Sequence, residues 1–162
     1  MPTSFISGDL FCNRVQAAAL AHGCNCKGSM GAGVAVGFKD RYPAMFEAYR
    51  SRCKAKPRLF NPGDVFLWTQ PDAPAVFNLA TQEDYWRSRA TYPVLEAALT
   101  EMRAQADAAA IPSIAMPRVG AGLGGLSWNK CRAIIERAFL DWPGNLYVYD
   151  AFVPEDPPDL PA

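Results

Sequence analysis

The chain has no excess of charge of either sign: 16 Lys and Arg stand against 16 Asp and Glu in 162 residues, so its formal net charge is zero. Holding duplex nucleic acid by bulk charge takes many phosphate contacts, so that mode is excluded as the main source of affinity, though not a local basic patch. No apolar run approaches the ~20 residues of a membrane span. The start, MPTSFISGDLF, lacks the charged n-region and long apolar h-region of a secretory signal. Histidine occurs once, at His22. The five cysteines, Cys12, Cys24, Cys26, Cys53 and Cys131, make an odd count. That reads as reduced thiols in a cytoplasmic protein rather than a disulfide framework. Cys24-Asn25-Cys26 lacks the C-x-x-C spacing, and no second Cys/His cluster completes it. No metal or cofactor is expected, and the thiols read as small buried hydrophobes. No internal repeat is present.

What the chain does have is alternation. Thr3–Ile6 reads as a short strand running into Gly8-Asp9. Ala17–Cys24 is a buried apolar strand. A glycine-rich stretch, NCKGSMGAGVAVGF, follows and opens a helix over Val34–Arg41, which Pro43 interrupts. Ala44–Lys54 resumes at helical period with Met45, Phe46 and Tyr49 as its apolar stripe. Asp64–Thr69 and Ala75–Ala80 read as neighbouring strands around the turn Gln70–Pro74. Thr81–Ala90 is a polar loop carrying Trp86. Tyr92–Ala109 is the clearest helix, with Leu95, Leu99, Met102 and Ala106 on one face. Ser113–Met116 is a strand. A second glycine-rich loop, RVGAGLGGLSW, then opens a helix over Trp128–Leu140, with Ser127 as its N-cap. Asn145–Tyr149 is the last strand. One domain over residues 1–152 and an acidic, proline-rich, disordered tail over 153–162 are expected. The class is α/β, three layers deep, with a mixed, mostly parallel central sheet.

Ligands of such sheets bind beyond the carboxyl ends of the strands. Both glycine loops, Asn25–Gly33 and Gly120–Gly125, follow strands and precede helices, so both fall at that edge. Their backbone amides can approach an anion closely, and a helix N-terminus behind each adds positive dipole. Two such loops side by side suit a diphosphate. Neither is a P-loop, and neither has the setting of a dinucleotide fingerprint, so an NTPase and a Rossmann dehydrogenase fit poorly.

The segments SGDLF, LAHGCNCKGSMGAGVAVGFKDRYP, FNLATQ, IAMPRVGAGLGGLSW and VYDAF, in this order over residues 3–152, resemble the macrodomain, an ADP-ribose-binding α/β module. The branch it resembles most holds the terminal ADP-ribose protein glycohydrolases and the DarG antitoxin macrodomain. The resemblance implies roles by position. Asp9 would accept from the adenine amino group, with Leu10 packed nearby. Asn25 would sit beside the distal ribose. Ser29, Met30, Gly31 and Gly33 would form the first phosphate loop, and Gly120, Gly122, Leu123, Gly124 and Gly125 the second. Tyr149 to Phe152, just after the last strand, would wall the adenine. Implied partners are ADP-ribose and ADP-ribosylated protein or nucleic acid, with a toxin as a further one. A monomer off the membrane is expected.

The chain departs from that branch at two positions. Where relatives commonly carry a lysine, the segment Leu79-Ala80-Thr81-Gln82 places Gln82, which cannot form a Schiff base. Where some carry an aspartate in the second loop, Leu123-Gly124-Gly125-Leu126 has glycine. Candidate catalytic groups are therefore Asn25, Gln82 and Glu83, with Asp84 beside them. His22 could shuttle a proton but reads better as a core histidine. Trp86, Arg87 and Arg89 could rim a nucleic-acid substrate; Trp128 reads as packing. Three functions stay open: an ADP-ribosyl hydrolase, an ADP-ribose-1″-phosphate phosphatase and a non-catalytic reader.

Overall fold

A computed structural model describes residues 2–86, 90–122 and 124–155. Its elements run β1 (Thr3–Gly8), a 3-10 turn (Leu10–Cys12), β2 (Ala19–Asn25), α1 (Val34–Arg41), α2 (Pro43–Lys54), β3 (Val65–Trp68), β4 (Ala75–Gln82), α3 (Tyr92–Ala108), β5 (Ser113–Met116), α4 (Trp128–Ala138) and β6 (Asn145–Phe152). The six strands form one sheet in the order β1-β6-β5-β2-β4-β3. Only the β3–β4 pairing is antiparallel; the other pairings are parallel.

Alternation along the strands feeds two cores, one on each face of the sheet. Ala19 and Ala21 of β2, Phe77 and Leu79 of β4, and Ile114 and Met116 of β5 face the layer of α3 and α4, where they meet Leu95, Leu99, Met102 and Ile135. Leu20, Cys24, Val76, Ala80 and Ala115 point the other way, onto Phe38 of α1 and Met45 and Tyr49 of α2. The result is the three-layer α/β/α arrangement.

Boundaries shift for local reasons. The Ala17 amide donates to the Asn13 side chain and the Ala18 amide to Ser113 Oγ, so β2 starts only at Ala19. Pro43 does not break a helix. It is the first residue of α2, where its missing N–H costs nothing and its fixed φ suits the helix. β4 runs on through Thr81 and Gln82, so these belong to the sheet and not to the loop after it. β6 continues to Phe152, paired with Gly8, so Tyr149 to Phe152 lie within the last strand rather than beyond it. Ser127 does sit at the N-cap of α4, but its side chain makes no capping bond.

The topology sets a switch point between β5 and β2. From β2 the chain crosses to β3 and returns along β4 on one side; from β5 it crosses to β6 on the other. Ladder pairing between β2 and β5 is confined to Ala19–Ile114 and Leu20–Ala115. Beyond that, the two glycine loops leave the carboxyl ends of adjacent strands in opposite directions, as at the switch point of an open α/β sheet.

Candidate functional site

Because β1, β6, β5, β2 and β4 are mutually parallel, their carboxyl ends share one edge. Along it, in order, stand Asp9 after β1, Tyr149–Phe152 in β6, the loop over 117–127 after β5, the loop over 26–33 after β2, and Gln82–Glu83 at the end of β4.

The first glycine loop is built around Asn25. This side chain is 9 % exposed. Its Oδ1 accepts from Lys27 N–H at 3.0 Å and Ser29 N–H at 3.3 Å, and its Nδ2 donates to the Ser29 carbonyl at 2.9 Å. The Tyr49 hydroxyl, from α2, donates to the Asn25 carbonyl at 2.7 Å and lies 3.0 Å from Oδ1. An amide carries two N–H donors, so one remains for an outside acceptor. Met30 is 2 % exposed and packs into the α1/α2 core, where it anchors the loop. Gly31 and Gly33 are exposed. Gly33 caps α1 at φ 65° and ψ −151°, a conformation open essentially to glycine alone, and as the cap residue it offers the first N–H groups of the helix no side-chain bond.

The second loop closes on itself. Leu126 N–H donates to the Gly120 carbonyl at 2.9 Å, and Gly125 N–H to that of Gly122 at 3.2 Å. A Cβ on Gly124 would lie 2.6 Å from the Gly120 oxygen, so only glycine fits there. A Cβ on Gly122 would meet nothing within 4 Å. Leu123 lies outside the described residues.

At the β1 end, Asp9 caps the 3-10 turn through Oδ1, which accepts from Phe11 N–H at 3.0 Å. Leu10 is 5 % exposed and Tyr149 7 %, both in the α1/α2 core, whereas Phe152 is 73 % exposed. At the other end, Asn25 and Gln82 are register partners across β2 and β4. Gln82 Nε2 donates to the Asp84 carbonyl at 2.9 Å. The Glu83 carboxylate is forked by Arg58, at 2.6 and 2.9 Å, and lies 3.7 Å from Lys27 Nζ. The Arg58 hydrogen bonds hold it below the usual carboxylate range, which makes it a weak base. Its carbonyl accepts from Cys26 N–H at 3.0 Å, tying the end of β4 to the first loop. Tyr49 and Arg58 support the site but are invisible as such in the sequence. Tyr49 occupies an apolar stripe, and Arg58 finds Glu83 only across the fold.

Asp84 is buried, and Trp86 N–H donates to its Oδ1 at 3.2 Å. Tyr85 and Trp86 are 59 % and 57 % exposed and meet edge to face at 4.6 Å. Arg87 and Arg89 lie outside the described residues. Trp128 packs edge to face against Phe5 at 6.2 Å. The thiols are chemically quiet: burial pushes Cys24 well up and Cys26 up to about 12. Among the described residues no three His, Cys, Asp or Glu side chains gather as a metal site requires.

His22 is a core residue. It is fully buried, stacked on Phe38 with ring centroids 3.9 Å apart, and its Nε2 is 2.7 Å from Asn78 Oδ1. Asn78 Nδ2 donates to the Phe66 carbonyl at 3.1 Å, so Oδ1 is the acceptor and Nε2 carries the proton. Burial drives the His22 pKa down to about 4. The unfolded chain therefore binds a proton near pH 6.5 that the folded one refuses until about pH 4, so stability is full above the unfolded value and falls with pH below it. Between pH 7 and 5.5 the expected loss is about 1 kcal/mol, before most carboxylates titrate. Urea midpoints measured at the two pH values check this; equal midpoints would contradict it.

Two glycine-rich loops at the carboxyl edge of a mostly parallel sheet, on either side of the β5/β2 switch point, place the chain among the open α/β sheets whose ligands bind at that edge. Sequence comparison gives the family: the Macro domain model matches residues 21–135, and the chain belongs to the macrodomain family. It is 35 % identical over 138 residues to a DNA ADP-ribosyl glycohydrolase of Mycobacterium tuberculosis, covering 85 % of this chain and 38 % of that protein. An ADP-ribose 1″-phosphate phosphatase of Aspergillus fumigatus is 52 % identical over 61 residues, 35 % of this chain and 30 % of that one. Among solved structures, the macrodomain of Mycobacterium tuberculosis DarG superposes with a TM-score of 0.81 at 31 % identity, covering 94 % of this chain and 98 % of that one. The chain thus spans well under half the length of these curated relatives. No helix among the described residues is long and apolar enough to cross a membrane.

Proposed function

We propose that the chain binds ADP-ribose and hydrolyses ADP-ribosyl linkages at C1″ of the distal ribose. The observation that carries this is the order of groups along the sheet edge: an acid beside aromatics at β1 and β6, two amide-rich loops at β5 and β2, and paired side-chain amides at β2 and β4. ADP-ribose presents an amino-bearing base, a diphosphate and a second ribose in that order. Four strand spacings separate β1 from β4, roughly 19 Å, which suits an extended molecule of that size.

In this reading the Asp9 oxygen not used by Phe11 accepts from the adenine amino group above Leu10. Amides of Gly31, Gly33, Gly120, Gly122 and Gly124, which the two loops do not spend on their own closure, face the diphosphate; Leu123 lies outside the described residues. The uncommitted Asn25 N–H meets a distal ribose hydroxyl, with Gln82 alongside. Water adds its oxygen to C1″ as the bond from C1″ to the modified group breaks, the water's proton ends on the departing group, and the rate gain comes from positioning and preorganised amide dipoles. Gln82 cannot form an imine, and Lys27 is paired with Glu83. Borohydride added during turnover is therefore expected to trap no ribosyl-lysine; such an adduct found by mass spectrometry would contradict direct water attack.

The exposed Tyr85–Trp86 pair beside Gln82 favours a nucleic-acid substrate, since aromatic faces stack on unpaired bases. The names of the DarG relatives support the same substrate class, and a toxin that attaches ADP-ribose is the corresponding partner. The likeness to 1″-phosphate phosphatases, together with Gln82 in place of lysine, favours a second reading: the same pocket releasing phosphate from C1″. Incubation with ADP-ribosylated DNA, ADP-ribosylated protein and ADP-ribose-1″-phosphate separates these, and turnover of none leaves a reader.

Asp9→Ala is expected to weaken ADP-ribose by about 10- to 100-fold, the worth of a charge-assisted hydrogen bond of about 1.5–3 kcal/mol. Ribose-5-phosphate binding should not change. Calorimetry with both ligands checks it; equal losses would assign Asp9 to the turn alone.

A further inference from the structure

Residues 153–155, the first of the tail expected over 153–162, run on from β6 alongside residues 8–14 and are held there, while 156–162 lie outside the described residues. Val153 N–H donates to the Gly8 carbonyl at 3.0 Å, one bond beyond the Gly8–Phe152 pair that ends the β1–β6 ladder. Two residues on, Glu155 is held from three sides. Its Oε2 accepts from Asp9 N–H at 2.8 Å, its Oε1 lies 2.7 Å from Arg14 Nε, and its carbonyl accepts from the Cys12 thiol at 3.2 Å. The carboxylate occupies the space a side chain at position 8 would need: a Cβ on Gly8 would fall 2.6 Å from Oε2 and 3.1 Å from Cε1 of Tyr149. A Glu155 oxygen is thus lodged between the end of β1 and the Tyr149 ring.

We infer that Glu155 is a built-in occupant of the adenine end of the site, which an incoming adenine nucleotide must displace. This rests on the reading that puts the base beside Asp9 and Tyr149. The carboxylate holds the Asp9 N–H and stands at the Gly8 position that also faces the Tyr149 ring, so a base placed between Asp9 and Tyr149 competes with Glu155 for that space. Charge points the same way. Glu155 and Asp9 share one patch: after burial, both push up the Tyr149 hydroxyl and the Cys12 thiol. A diphosphate arriving nearby adds to that repulsion. The hold is releasable, because Arg14, the ion-pair partner, has a side chain 48 % exposed. Departure also frees the Asp9 N–H, a donor aimed at the same space, for a ring nitrogen of the base.

A protein whose competent state is only partly populated binds with its affinity reduced by that fraction. Calorimetry on the full chain with ADP-ribose, AMP and ribose-5-phosphate tests the displacement. Glu155→Ala should tighten ADP-ribose and AMP by about tenfold and leave ribose-5-phosphate unchanged. Arg14→Ala, which loosens the same contact from the other side, should shift both nucleotides in the same direction. Equal or weaker ADP-ribose binding in both variants would overturn the inference while leaving the assignment of the site intact. Absence of ADP-ribose binding in wild type and variants alike would overturn both.

Discussion

Gly122→Glu is expected to remove ADP-ribose binding from a protein that folds and melts as before. Position 122 is exposed, outside the left-handed region of φ, and a Cβ there meets no atom within 4 Å, so the fold has no reason to resist the change. The ligand does. A carboxylate about 4 Å from a phosphate costs about 4 kcal/mol at the effective dielectric near a protein surface, on the order of 1,000-fold in affinity. Gly122→Ala is the control, with little expected loss. The choice of position matters, because Gly33 and Gly124 would mix backbone strain or collision with the electrostatic effect. A folded Gly122→Glu protein with unchanged affinity would move the diphosphate elsewhere.

Asn25→Ala should damage both stability and binding. The substitution strips the acceptor from Lys27 N–H and Ser29 N–H and the donor from the Ser29 carbonyl. Each of these three polar groups costs about 1–3 kcal/mol when left unsatisfied, so a total loss of at least about 3 kcal/mol is expected, with ADP-ribose binding lost as the loop relaxes. Asn25→Asp separates the two effects. It keeps the acceptor for both amides but loses the donor to the Ser29 carbonyl and to the distal ribose, so part of the lost stability should return while binding still fails. Chemical denaturation and calorimetry on the two variants give the comparison. A melting curve and affinity unchanged in Asn25→Ala would show that the loop does not depend on this side chain.

The two glycine loops were legible in the sequence because each marks a change of period, from an apolar strand to an amphipathic helix, and glycine is what a backbone needs at such a corner. The long helix α3 was legible for the same reason: Leu95, Leu99, Met102 and Ala106 repeat with the helical turn, and all four are buried. What local pattern misses is pairing across the fold. Nothing near Asn25 says that its side chain turns inward to hold its own loop, or that Tyr49 on α2 locks it there. Glu83 looks like an open acid beside Gln82 until Arg58, 25 residues away, forks it. Strand ends are blurred where burial fades. Asp150 interrupts the apolar run of the last strand, and Ala151 and Phe152 beyond it are exposed, yet both pair with β1 through the backbone.

Titration calorimetry of the unmodified chain with ADP-ribose, in buffer containing EDTA, tests the central claim most directly. A single site saturating without metal is the predicted result. No heat, and no thermal shift at millimolar ADP-ribose, would contradict it.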